Sequence, residues 1–168
     1  MNYRKKNIMK TSKEYHALLA KLEVAARTYQ GLWSAFTRAG HHGMAAFAAY
    51  EAAERLKYAE QVAQHLAEHG KHVQYGALPA PACDYKTPAE AMDAACKMED
   101  EVGTVASATH QAVVQASERP YFLGELVSKL DRDRKEVAEV KSMLANASTP
   151  DQVAALNQSL LQKYSFHA

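Results

Sequence analysis

The chain has 168 residues, of which 48% are hydrophobic, and this suits one globular domain with a core of its own. Its 20 Lys and Arg residues against 19 Asp and Glu residues leave a formal net charge of +1, which excludes the basic surplus typical of nucleic-acid-binding proteins. No apolar run approaches the ~18 residues of a membrane span, and the two cysteines lack metal-ligand spacing, so we expect a cytoplasmic protein with free thiols and no nucleic-acid or membrane partner.

The first half of the chain predicts two long helices in sequence. Residues 1–11 are interpreted as a flexible leader. Apolar residues then recur with a helical period over 12–38, with Ser12 as the expected N-cap, and again over about 44–69. Because the turn at 39–43 is short, the two helices should be antiparallel neighbours.

The second half predicts two more long helices and a short one. Residues 71–88 are long, proline-bearing and aperiodic, which is typical of a crossover along the length of a bundle. Thr-Pro or Pro starts then open helices at about 88–116 and 120–145, and another Thr-Pro pair opens a short helix within 147–168. The sequence therefore predicts an all-α four-helix bundle over 12–146, with one long crossover between the second and third helices.

All four predicted long helices bring polar groups toward the bundle interior. These groups are Glu23 on the first helix, Glu51, Arg55 and Tyr58 on or beside the face of the second, Glu99 on the third, and Asp133 and Arg134 on the fourth. Carboxylates from different helices of one bundle are the ligands of di-iron sites. A guanidinium, however, cannot lose its proton and repels metal cations.

Three interpretations of these polar groups stay open. The favoured one is a buried salt-bridge network of Glu23, Arg55, Glu99, Asp133 and Arg134, in which we expect Arg55 to bridge Glu23 and Glu99. The second is a metal site, whose ligands would be Glu23, Tyr58, Glu99 and Asp133. The third is that these groups lie exposed at the edges of the helix faces.

The stretch 70-GKHVQYGALPAPACDYKTPAEAMDAACKMEDEV-102 resembles the crossover loop and third-helix start of bacterial non-haem ferritins. With 22-LEVAARTYQGLWSAF-36, it implies a ferritin-like four-helix bundle in which Glu23 and Glu99 stand at iron-ligand positions. The Glu-x-x-His signature of an active ferritin falls on Arg55 and Tyr58, so both of its ligands are missing. The family's fourth-helix position falls on Asp133 or Arg134.

The resemblance implies a cage of 24 subunits that stores iron, while the missing ligands predict a degenerate ferroxidase centre and no enzyme activity. Active ferritin subunits in the same assembly would then oxidise the iron. One alternative is a structural or stress-linked assembly or interaction protein that no longer handles iron. Another is a ferroxidase with the altered ligand set Glu23, Tyr58, Glu99 and Asp133. No methionine stands out as a haem ligand, so haem is not expected.

Two further features carry alternatives of their own. His65 and His69 stand four residues apart near the end of the second helix, with His72 beyond, and such a pair can share a metal or simply be solvated at the helix end. The short tail helix has an apolar face that includes Leu156 and Leu160. That face must be buried either against other subunits, as the resemblance implies, or against its own bundle.

Overall fold

The computed structural model describes residues 9–119 and 121–165, and within these residues it contains five α-helices and no strand. The helices are α1 (Ser12–Arg38), α2 (His42–Glu68), α3 (Pro88–Gln115), α4 (Tyr121–Asn146) and α5 (Pro150–Tyr164). The predicted four-helix bundle with a short fifth helix is confirmed. The expected helix start at Pro120, most of the leader and the last three residues lie outside the described residues. No helix in the described part of the chain is long and apolar enough to cross a membrane.

The two Thr-Pro pairs begin helices as predicted. The Thr87 hydroxyl accepts a hydrogen bond from the backbone N–H of Glu90 at 3.1 Å. Thr149 accepts from the backbone N–H of Gln152, whose side chain bonds back to the Thr149 backbone in a capping box. The prediction for Ser12 is wrong, because it is the first helical residue and the preceding residue holds the N-cap position without a side-chain bond.

The crossover segment (residues 69–87) runs along α1 from near its start to its second half. The ring of His16 meets the backbone of His72 and Gln74 at the beginning of the segment. Towards its end, the carbonyl oxygen of Ala82 lies so close to Gly31 that an added Cβ would approach it to 2.2 Å. The segment therefore spans much of the bundle's length, as the long aperiodic stretch predicts.

The core is divided into two apolar clusters. One contains buried residues within 15–25 of α1, 58–66 of α2, 102–113 of α3 and 123–130 of α4. The other contains buried residues within 29–36, 44–52, 91–95 and 137–140, together with Leu160 and Tyr164 of α5. Arg55, Glu99 and Asp133 fall between the two sets of ranges, so a polar layer separates the clusters.

Two residues that the pattern places on apolar stripes are exposed. Leu56 is 44% exposed and Trp33 is 48% exposed. The other members of the predicted α2 stripe are buried, and beside them Glu51, Arg55 and Tyr58 are also buried, spaced about one helical turn apart. Since successive helical residues differ by about 100° in direction, an inward Arg55 turns the next residue toward the surface.

The short helix α5 packs against its own bundle rather than standing free. Leu160 and Tyr164 are buried in the core cluster that contains the first half of α2. The backbone of Asn157 lies against Gly43, where a Cβ would approach the Asn157 carbonyl oxygen to 1.8 Å. Of the two alternatives for the tail, the structure shows the helix folded onto its own subunit, with Leu161 left 41% exposed.

The contact between Gly43 and α5 predicts opposite effects for two glycine-to-alanine changes. Gly43→Ala would push α5 away and lower the free energy of unfolding by about 1–3 kcal/mol, as overpacking does. Gly103→Ala in α3, where nothing lies within 4 Å of the new Cβ, should raise it by about 0.5–1 kcal/mol. Urea unfolding of both variants checks this, and a stabilised Gly43→Ala protein would contradict the packing of α5.

Candidate functional site

The polar layer at the centre of the bundle is organised by the guanidinium of Arg55, which is 0% exposed. Its Nη2 lies 2.7 Å from Oε1 of Glu99 on α3, and its Nε lies 3.2 Å from the same oxygen. Its Nη1 donates to Oδ2 of Asp133 on α4 at 2.9 Å. Oε2 of Glu51, one turn earlier on α2, lies 3.0 Å from Nη2 of Arg55. The planar fork of arginine suits this simultaneous pairing with several carboxylates.

Two tyrosines complete the layer. The Tyr29 hydroxyl of α1 donates to Oε1 of Glu99 at 2.6 Å, and the Tyr58 hydroxyl of α2 donates to Oδ2 of Asp133 at 3.1 Å. The Cζ atom of Arg55 lies 5.7 Å from the centroid of each tyrosine ring, within the range of a cation–π contact. We call these six residues, including Glu51, the Arg55 layer, and all four long helices contribute to it.

Not every carboxylate oxygen of the layer accepts a hydrogen bond. Both oxygens of Glu51 and Oε2 of Glu99 are buried without a hydrogen-bond partner. Burial raises the pKa of Glu51 to about 8, against the opposing effect of the Arg55 charge. Glu51 therefore carries a proton at neutral pH, and the close ion-pair partners of Arg55 on the other helices are Glu99 and Asp133.

Glu23 stands apart from this layer. Its side chain is half-buried, burial raises its pKa, and its Oε2 is a buried oxygen without a hydrogen-bond partner. The expected bridge from Arg55 to Glu23 and Glu99 is therefore only half correct, because the second strong partner is Asp133. The sequence offered one signal for the missed partner Glu51, which is its spacing of four residues before Arg55.

Arg134 does not belong to the layer, contrary to expectation. It lies on the exposed side of α4, where its guanidinium nitrogens are 3.3 Å from Asp100 and 3.3 Å from Asp131. It follows Asp133 directly in a helix, so an inward Asp133 turns Arg134 outward by about 100°. The sequence left open whether Asp133 or Arg134 faces the interior, and the structure shows that Asp133 does.

The donor set around Arg55 does not fit a centre with two metal ions. The guanidinium is a permanent cation and already binds Glu99 and Asp133. Burial, followed by the charge of Asp133, raises the pKa of Tyr58, so its phenol stays protonated and is a poor metal ligand. Within the described ranges, no group of three or more His, Cys, Asp or Glu side chains is arranged to hold a metal ion. The proposed set of Glu23, Tyr58, Glu99 and Asp133 stays a prediction.

Removal of the Arg55 guanidinium should destabilise the bundle strongly. Arg55→Ala leaves the carboxylates of Glu99 and Asp133 without their buried cation, and breaking a buried pair in this way costs about 3–5 kcal/mol. Arg134→Ala is the matched control, since exposed ion pairs contribute at most about 1 kcal/mol. Equal unfolding midpoints of the two variants in urea would refute a structural role for Arg55.

Protonation of Glu51 should appear in the pH dependence of stability. Its pKa is about 8 in the folded chain against a usual value of 4.5, so the folded state holds the proton more tightly. The proton on Glu51 stabilises the folded state fully below pH 4.5, and this stabilisation is lost as the pH rises to 8. The free energy of unfolding then falls by up to about 1.4 kcal/mol per pH unit. Glu51→Gln, which mimics the protonated acid, should gain stability relative to the wild type between pH 5 and 8.

The Glu51 prediction is measured by urea unfolding at a series of pH values. The exposed change Glu60→Gln is the control and should give a curve parallel to that of the wild type. If Glu51→Gln also runs parallel to the wild type, Glu51 is not protonated in the folded protein.

A family model identifies the family, and solved structures match the fold. The family model described as a ferritin-like domain matches residues 13–148. Apo-ferritin from Pseudo-nitzschia multiseries superposes with a TM-score of 0.84 at 15% identity, over 89% of this chain and 98% of that chain. An open-pore ferritin from Archaeoglobus fulgidus superposes with a TM-score of 0.84 at 17% identity, over 90% and 95%. No curated protein matches the sequence. The chain belongs to the family of ferritin-like domains.

Proposed function

We propose that this chain is the subunit of an iron-storage cage in which a salt-bridge layer replaces the ferroxidase centre. The observation that carries the proposal is the fully buried guanidinium of Arg55, 2.7 Å from Glu99 and 2.9 Å from Asp133. Family membership and the superposition on ferritins support the storage role. Localisation in the cytoplasm is part of the same proposal.

The charge of Arg55 is the physical reason why iron oxidation is not assigned to this layer. Burial alone lowers its pKa, but the neighbouring carboxylates, Glu99 first among them, outweigh that effect and raise it. The guanidinium therefore stays charged at every physiological pH and repels ferrous iron. A ferrous ion that took Glu99 as a ligand would also have to leave Arg55 buried without one of its partners.

Storage does not require an oxidation centre in every subunit. Clustered surface carboxylates suffice to bind ferric iron and start a mineral, because hard cations prefer oxygen ligands. Exposed carboxylates occur along α3 and α4, among them Asp93 and Asp100. Oxidation would then be supplied by an active ferritin subunit that assembles with this one.

Exposed apolar side chains support self-association. Trp33 of α1, Leu56 of α2, and Tyr75 and Leu78 of the crossover segment are large hydrophobic residues at the surface of the single chain. Because the crossover segment lies along α1, Tyr75 and Leu78 lie on the same side of the bundle as α1. Buried contacts between subunits would remove such side chains from water. A closed shell of 24 subunits is the assembly proposed.

Two alternatives are favoured by particular observations. The unpartnered buried oxygen of Glu23 favours a ferroxidase with an altered ligand set, since an orphaned carboxylate can accept a cation. The self-contained ion pairs of Arg55 favour a structural or interaction protein that has no use for iron, since the bundle then needs no metal to hold its helices together.

Whether the protein oxidises ferrous iron is tested by adding ferrous iron to the purified protein in air and measuring the absorbance of the ferric product over time. The wild type should oxidise iron no faster than buffer, and Glu23→Ala should leave that rate unchanged. The double change Arg55→Glu with Tyr58→His restores the Glu-x-x-His motif and should raise the rate above that of the wild type. Rapid oxidation by the wild type that Glu23→Ala abolishes would overturn the proposal.

Light scattering and metal analysis separate storage from a purely structural role. A particle of about 24 subunits that retains iron when loaded together with an active ferritin supports storage. A cage that stays empty under the same loading favours the structural alternative, and a monomer contradicts both.

A further inference from the structure

The end of the bundle where α2 finishes holds a cavity of about 370 Å³ that is separate from the Arg55 layer. His65 lies ten residues beyond Arg55 on α2, a distance of about 15 Å along the helix axis. The cavity is lined by Met9, Lys10, Tyr15, His65, His69, Ala116, Ser117, Glu118 and Arg119. We call it the histidine cavity, and none of its lining residues takes part in the proposed storage chemistry.

His65 and His69 face each other across one helical turn. Their ring centroids are 4.3 Å apart and their planes are inclined at 48°. In a tetrahedral site with metal–nitrogen bonds of about 2.1 Å, the two ligand nitrogens lie about 3.4 Å apart. Two imidazoles at this separation, four residues apart on a helix, can therefore reach one metal ion with small ring rotations.

Backbone contact sets the tautomer of His69. Its Nδ1 is 2.8 Å from the carbonyl oxygen of His65, and a carbonyl oxygen can only accept a hydrogen bond. The hydrogen is therefore on Nδ1, and Nε2 is left with a free lone pair. This arrangement, with one ring nitrogen donating to a carbonyl and the other free, is the usual state of a metal-ligating histidine.

The ring of His65 is held in place by two aromatic neighbours. Its centroid lies 4.8 Å from that of Tyr15 on α1 and 4.6 Å from that of Phe122 on α4. Neither of its ring nitrogens has a hydrogen-bond partner among the described residues. His65 therefore has a ring nitrogen that is free to bind a metal.

The carboxylates near the pair are already occupied. Glu118 accepts from the backbone N–H of Lys10 and from the hydroxyl of Thr11. Glu68 accepts from the side-chain amide of Gln64 at 2.8 Å. The protein therefore offers two nitrogen ligands and no third, in keeping with the lack of a three-ligand group in the described ranges. The remaining coordination positions would be filled by water in the cavity.

We propose that His65 and His69 chelate a divalent transition metal of the imidazole-preferring class, Zn²⁺ or Cu²⁺. Affinity for nitrogen ligands rises from Fe²⁺ to Cu²⁺, and Zn²⁺ also binds more tightly than Fe²⁺. The site would thus hold a metal other than the stored iron. Because the metal binds the folded pair, it also stabilises the last turn of α2 against unfolding. The inference stands on these two residues and does not depend on the proposed storage function.

The first test is calorimetric titration of metal-free, full-length protein with Zn²⁺ in the absence of iron. One Zn²⁺ should bind per chain and the thermal unfolding midpoint should rise. His69→Gln, a change at an exposed residue, should weaken binding at least about ten-fold because one of two ligands is lost. His42→Gln removes an equally exposed histidine at the start of α2 and should bind Zn²⁺ like the wild type.

The second test is electron paramagnetic resonance of the protein with one equivalent of Cu²⁺. The wild type should show coupling to two imidazole nitrogens, and both His65→Gln and His69→Gln should show coupling to one. Unchanged Zn²⁺ affinity in His69→Gln, no heat of binding in the wild type, or loss of binding on Cys83→Ser or Cys96→Ser instead would overturn the proposal. None of these outcomes bears on iron storage, which is measured separately.

Discussion

A charged guanidinium with no access to water constrains the whole bundle. Transfer of an unpaired ion into a protein interior costs several kcal/mol, so Arg55 can be buried only where carboxylates meet it. One of those carboxylates comes from α3 and another from α4, so the positions of both helices along α2 are tied to Arg55. Tyr29 extends the same constraint to α1 through its bond to Glu99.

The Arg55 layer ties the four long helices together through ion pairs and hydrogen bonds. Apolar clusters above and below it supply the burial that folds the chain. The layer supplies specificity, because a sliding helix would strand Glu99 or Asp133 without its partner. Where a di-iron protein would hold carboxylates together with metal cations, this chain holds them with an arginine. Membership of the ferritin-like family therefore describes the scaffold, and the chemistry of this layer has to be judged from its own residues, since function depends on the site rather than on the fold.

The two ends of the bundle differ in character. At one end α5 closes the second apolar cluster, with Asn157 seated against Gly43. At the other end Met9 packs into the first cluster and two imidazoles face the histidine cavity. The α5 end is closed by apolar packing, and the histidine end carries the two imidazoles that we propose as metal ligands. The Arg55 layer lies between them.

Local patterns determined the helices, the crossover and the inward position of Arg55. These features are recognised from a 3.6-residue period, two Thr-Pro starts and a long aperiodic stretch. Each signal depends only on residues close together in sequence, so it can be recognised without the tertiary structure. The same period placed Glu99 and Asp133 near the interior. It could not set the rotation of each helix about its axis, which decides that Asp133 points inward and Arg134 outward, and that Leu56 and Trp33 reach the surface. Distances between helices decide that Asp133 rather than Glu23 pairs with Arg55 and that α5 packs on its own bundle. Only the tertiary structure decided them, because side chains far apart in sequence meet only when the helices have packed.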